Sequence, residues 1–123
     1  MKPISPRVHG ILDYVTVALF ALAPTVLSLD GLPAKISLTL AGVHLLMTVF
    51  TAMPLGVVKA IPFKVHGAIE LGVGLTLIAL PWMLGFAQVD TARNFYLAIG
   101  IVILIVVMLT DYRNATDGSA TRA

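Results

Sequence analysis

The chain has 123 residues, of which 59% are hydrophobic and only 11% charged, with a net charge of +2 and no cysteine; its mean hydropathy is +0.99. Soluble domains carry about 25% charged residues, so this much apolar surface predicts a membrane protein. The scattered basic residues exclude a nucleic-acid-binding surface, and the absence of cysteine excludes disulfides, thiolate metal sites and thiol catalysis.

Four apolar segments are long enough to cross about 30 Å of hydrocarbon as helices. They are expected near 7–28, 36–53, 63–84 and 94–111. The first is too long for a signal-peptide core, and three more follow it. The first segment opens on "VHGILDY", in which Asp13 stands four residues after His9. Pro24 lies in its last third, where a missing N–H predicts a kink. "SLDGLPAK" links it to the second segment, which holds His44 near its middle and Thr48 one turn on. A lone histidine at mid-membrane is expected to face the bundle and hydrogen-bond a neighbour. As a haem ligand it would need an imidazole at matching depth, and His9 and His66 are expected nearer the membrane edge.

"MPLGVVKAIPFK" leads into the third segment, which opens on "VHGAIEL". Fifty-seven residues after His9 and Asp13, the chain repeats the pattern with His66 and Glu70. Ala68 and Gly72, with Gly67 and Gly74 nearby, predict close helix approach and a central place for this segment against the first. A homodimer face is the competing explanation. Pro81 again lies in the last third, and Trp82 suits the aromatic belt at the far membrane face. "GFAQVDTAR" leads to the fourth segment. The tail "RNATDGSATRA" is small, polar and expected to fray. The short links predict an up-down-up-down bundle. Lys2, Arg7, Lys59, Lys64, Arg113 and Arg122 on one side, against Lys35 and Arg93 on the other, predict both termini in the cytoplasm.

Aligning each residue with the one 57 later matches Val8, His9 and Gly10 with Val65, His66 and Gly67, Asp13 with Glu70, Pro24 with Pro81, and Leu27 with Leu84. In the second halves a one-residue shift matches Gly42 with Gly100, which places Ile101 or Val102 opposite His44. We read two tandem helical hairpins, about 7–53 and 64–111, in one membrane domain over 1–123, related by an axis along the membrane normal. "ALPWMLGF", in the first helix of a two-helix repeat, resembles the SPW-repeat family of small bacterial integral membrane proteins. This sequence has Leu80 where that motif has Ser, and Ala23-Pro24-Thr25 in the first repeat. The resemblance implies a repeat fold and a cytoplasmic-membrane location, and no activity.

On a helix, His9 stands over Asp13 and His66 over Glu70. An ionised carboxylate inside the hydrocarbon edge needs a partner or water. Three readings follow. Each pair caps and anchors its own helix end; or two histidines and two carboxylates hold a divalent ion such as Zn, Fe or Mn; or the pairs exchange protons. The carboxylate-histidine metal sites familiar in helical bundles use Glu-x-x-His spacing instead. No nucleophilic triad, phosphate loop or H-E-x-x-H motif is present, so no enzyme is expected. The leading expectation is an accessory or structural membrane protein, with the lipid bilayer and either a homo-oligomer or a larger membrane complex as partners. The alternatives are a metal-ion or proton binding or transport protein using His9, Asp13, His66 and Glu70, and a haem-binding redox protein using His44. The sequence itself assigns no cofactor.

Overall fold

Proline, glycine and small polar residues set the ends of four helices. The computed structural model describes residues 2–113; of the expected polar tail, the part from 114 onward lies outside the described residues. Helix α1 spans Pro6–Val26, α2 Gly31–Val49, α3 Phe63–Met83 and α4 Asp90–Leu109. All four are long and apolar enough to cross a membrane. Ser5 caps α1, accepting from the Val8 N–H at 3.2 Å, and Pro6 takes the first helical position, where its missing N–H costs nothing.

Helix α2 runs four to five residues earlier than expected at both ends. Pro33 sits in its first turn, where an N–H has no partner to lose. At the other end Phe50 closes the helix, and its carbonyl accepts from Ile61 N–H at 2.8 Å. Strands β1 (Thr51–Ala52) and β2 (Ile61–Pro62) then pair in parallel. Ile4 pairs with Thr110 in the same way at the start and finish of the bundle. In the loop between the strands, Lys59 Nζ donates to the carbonyls of Met53 and Gly56.

The prolines lie inside their helices, in the turn that ends each one. Pro24 and Pro81 each lie three residues before the capping residue, Leu27 or Leu84. Their carbonyls accept from Leu29 N–H at 3.0 Å and Phe86 N–H at 2.8 Å, the 6→1 bond of a Schellman motif. The residue after each cap is left-handed: Ser28 at φ 53° and Gly85 at φ 79°. The N–H missing at Pro24 leaves the Phe20 carbonyl without its helical donor, and Ser37 Oγ donates to it at 2.6 Å.

Backbones pack most closely between α1 and α2 and between α3 and α4. The small-residue expectation fails for Ala68 and Gly72, which are exposed; a Cβ at Gly72 would meet nothing. The close approach is at Gly74 and Gly100, where a Cβ on Gly100 would lie 2.9 Å from the Gly74 carbonyl oxygen. The pairing is therefore within the second hairpin and not between α1 and α3.

Phe20, Ala41, Leu77, Tyr96, Ile99 and Ile103 form the apolar core, and Tyr96 Oη donates to the Pro33 carbonyl at 2.6 Å. On α1, Val8, Ile11, Val15, Leu19, Leu22 and Val26 face outward, while His9 and Asp13 are buried. Polar side chains inside and apolar ones outside invert the soluble pattern and fit a lipid surround. Trp82 is exposed in the last turn of α3.

Candidate metal centre

Two histidines and two carboxylates, presented by the first turns of α1 and α3, meet in the interior. His9, Asp13, His66 and Glu70 are each 3% exposed or less. One ligand atom from each lies within 4.8 Å of all the others. The contacts cross between the helices. His9 Nε2 lies 3.2 Å from Asp13 Oδ1 on its own helix and 2.9 Å from Glu70 Oε1 on α3. His66 Nε2 lies 3.2 Å from Glu70 Oε1 on its own helix and 3.0 Å from Asp13 Oδ2 on α1. Each pair thus spends its contacts on the other helix as much as on its own.

His44 joins them, contrary to the expectation that it lies too deep. Because α2 ends at Val49, His44 is near the end of its helix and not at the middle. Its Nε2 stands 3.7 Å from Asp13 Oδ1 and 3.5 Å from Glu70 Oε2.

The outer faces of His9 and His66 are held alike. Thr110 Oγ1 lies 2.8 Å from His9 Nδ1 and 2.5 Å from the Val106 carbonyl oxygen. Thr51 Oγ1 lies 2.7 Å from His66 Nδ1 and 2.5 Å from the Met47 carbonyl oxygen. A hydroxyl has one hydrogen, and a carbonyl can only accept. Each threonine therefore donates to its own helix and accepts from the ring, so both Nδ1 atoms carry hydrogen. In the neutral ring the Nε2 lone pair then points inward. This is the tautomer that binds a metal, fixed by an outer partner.

Nε2 of all three histidines, Asp13 Oδ2 and Glu70 Oε1 are buried without a hydrogen-bond partner. Lone pairs and carboxylate oxygens at 2.9–3.2 Å repel unless positive charge lies among them. Two carriers of charge meet that need: a proton on each Nε2, or one divalent ion, which cancels both carboxylates. Donors about 2.1 Å from a common ion stand about 3.0 Å apart at right angles and about 3.6 Å apart at 120°. The six N···O separations, from 2.9 to 3.7 Å, lie within about 0.1 Å of that range.

Aromatic rings roof the site. Phe63 meets the His9 ring edge-on at 5.0 Å, and Tyr112 packs on Phe63 at 4.6 Å and on His9 at 5.8 Å. Gly67 makes room for Tyr112, because a Cβ there would lie 2.6 Å from the phenol ring. Its role is to seat a side chain and not to bring two helix backbones together. Burial, and then the nearby Glu70 charge, push the Tyr112 phenol above its ordinary pKa. Outside the roof Arg113 pairs with Asp111 at 3.0 Å and holds that half-buried carboxyl down at about 2.

Comparison with family models, curated proteins and solved structures returns no match for this chain. What the centre can do follows from its donors. Thr51 and Thr110 carry no expectation from the sequence, and Tyr112 is expected only toward the end of a span. A signal for the threonines existed: they stand 59 residues apart, two more than the histidines, because the link from 84 to 89 is two residues longer than that from 27 to 30.

Proposed function

We propose that this chain is a multi-pass membrane protein whose four-helix bundle binds one divalent first-row transition ion at His9, Asp13, His66 and Glu70. The observation that carries the reading is the set of buried, unpartnered donor atoms, with Nδ1 of both histidines engaged by a threonine so that Nε2 faces the carboxylates. Imidazole with carboxylate and no thiolate suits Zn, Fe, Mn or Co more than Ca or Mg. The ion supplies the charge that the two carboxylates otherwise lack in a low-dielectric interior. Haem fits less well, since carboxylate oxygens stand on the Nε2 side of His44 where a porphyrin would have to lie.

The reading extends to topology. The chain is two tandem hairpins of the SPW-repeat kind, in the cytoplasmic membrane with both termini inside. Matched contacts support this: His9–Thr110 against His66–Thr51, and Ile4–Thr110 against Ile61–Thr51. The lysines and arginines near that end of the bundle agree with the inside orientation.

The test is metal content. The protein, purified in detergent, is dialysed against Zn2+, Mn2+ or Co2+ and analysed by inductively coupled plasma mass spectrometry. About one ion per chain is expected, lost in His66→Ala. Sub-stoichiometric content with every ion would refute the reading. It would leave the accessory role, in which the histidine-carboxylate cluster clasps α1 to α3 and the open apolar groove lined by Ile36, Ile69, Gly72 and Val73 receives a partner helix.

A further inference from the structure

The tandem arrangement provides four donors in two matched pairs, but three imidazoles face the carboxylates. The unmatched one is His44. With the 59-residue offset set by Thr51 and Thr110, the residue opposite His44 is Ile103, which is buried and apolar. The tandem match therefore supplies a nitrogen donor on α2 and only hydrocarbon at the corresponding position of α4.

His44 also differs in how it is held. His9 and His66 are each fixed at Nδ1 by a threonine. Among the described residues no side chain or carbonyl hydrogen-bonds the His44 ring. Its Nε2 is buried, unpartnered and aimed at both carboxylates, about half an ångström farther off than its two counterparts. One turn on, Thr48 is fully buried and its hydroxyl has no partner. A ring that is aimed at a centre but not braced at its back can swing onto an ion and off it again, as a pinned ring cannot.

We propose that His44 is a fifth, exchangeable ligand to the metal, and that the position it takes on the ion is the one open to small exogenous donors. This rests on the metal reading above and deepens it. A centre with four fixed donors and one labile donor belongs to an ion that accepts five ligands. It differs from a closed tetrahedral structural site, in which every ligand is braced. The donor class that the position takes is a neutral nitrogen base, next to the Thr48 hydroxyl.

Co2+ serves as the probe, because its visible bands are weak with five or six ligands and intense with four. The full chain in detergent is loaded with Co2+, and His44→Ala is compared with the unaltered protein. The variant is expected to keep the ion. Its bands should strengthen several-fold, and added imidazole should return them to the unaltered form. Unchanged bands in the variant, with no response to imidazole, would overturn the proposal and make His44 a neighbour only. A second measurement needs no variant. X-ray absorption of the unaltered Co2+ protein should show three imidazoles on the ion, and two would overturn the proposal. Failure of the unaltered protein to bind Co2+ would sink the metal reading itself, and this proposal with it.

Discussion

The threonine braces give the sharpest quantitative test. Thr51→Val keeps the shape of the side chain but removes the oxygen that accepts from His66 Nδ1 at 2.7 Å. The ring then loses its fixed tautomer and part of its basicity, and the Met47 carbonyl, in the last turn of α2, loses its side-chain donor. Removing such an outer partner costs roughly 10- to 100-fold in metal affinity, or about 1.4–2.7 kcal/mol. Thr110→Val should act equally through His9, whose bond is 2.8 Å. On the metal reading the two braces hold different rings of one site, so the double variant should lose roughly 10²- to 10⁴-fold, with shortfalls from coupling at the shared ion. Thr16→Val is the control: its hydroxyl donates to the Leu12 carbonyl at 2.8 Å and touches no ligand. The assay is competition with a chromophoric chelator, read on each protein in the same detergent. If the unaltered protein binds metal and Thr51→Val binds it as tightly as Thr16→Val does, the tautomer assignment and the inward lone pair are wrong.

Five further substitutions test the frame around the centre. Gly67→Ala puts a methyl group 2.6 Å from the Tyr112 ring and should destabilise by about 1–3 kcal/mol, whereas Gly72→Ala faces open space and should be neutral or slightly stabilising; thermal unfolding followed by circular dichroism separates them. Ser28 holds a left-handed φ of 53° that Gly85 holds in the matching turn, so Ser28→Gly should raise stability by about 1 kcal/mol, read as a higher melting temperature. Ser37→Ala leaves the Phe20 carbonyl, already without a helical donor because of Pro24, with none at all; a loss of about 1–3 kcal/mol is expected in the same assay, and no change would mean another donor replaces Ser37. Weakening the Arg113–Asp111 pair by protonating Asp111 requires pH near its depressed value of about 2. A folded-state carboxyl held low contributes above its ordinary pKa and loses that contribution as pH falls; Arg113 is exposed, so the pair is worth little, and Asp111→Asn should lower the unfolding temperature slightly at pH 7 and by less near pH 2.

Local rules were enough for much of this molecule. Long apolar runs in a chain with so few charges have one stable form in lipid, so the four helices could be read directly from the residues. The i,i+4 spacing likewise placed His9 over Asp13 and His66 over Glu70 without any knowledge of neighbours. Helix ends were less legible, because proline reads as a kink until its partners are known. The carbonyls of Pro24 and Pro81 also accept from Leu29 and Phe86, bonds that close the helix ends. Tertiary structure alone decided that the two pairs share one centre, that Thr51 and Thr110 brace it, that Tyr112 roofs it over Gly67, and that His44 enters it. The physical reason is depth. A helix rises 1.5 Å per residue, so moving the ends of α2 by four to five residues carries His44 by more than a full turn along the bundle. The sequence states which residues share a helix face, but the level at which faces from different helices meet depends on caps, strand pairs and loop lengths that act together.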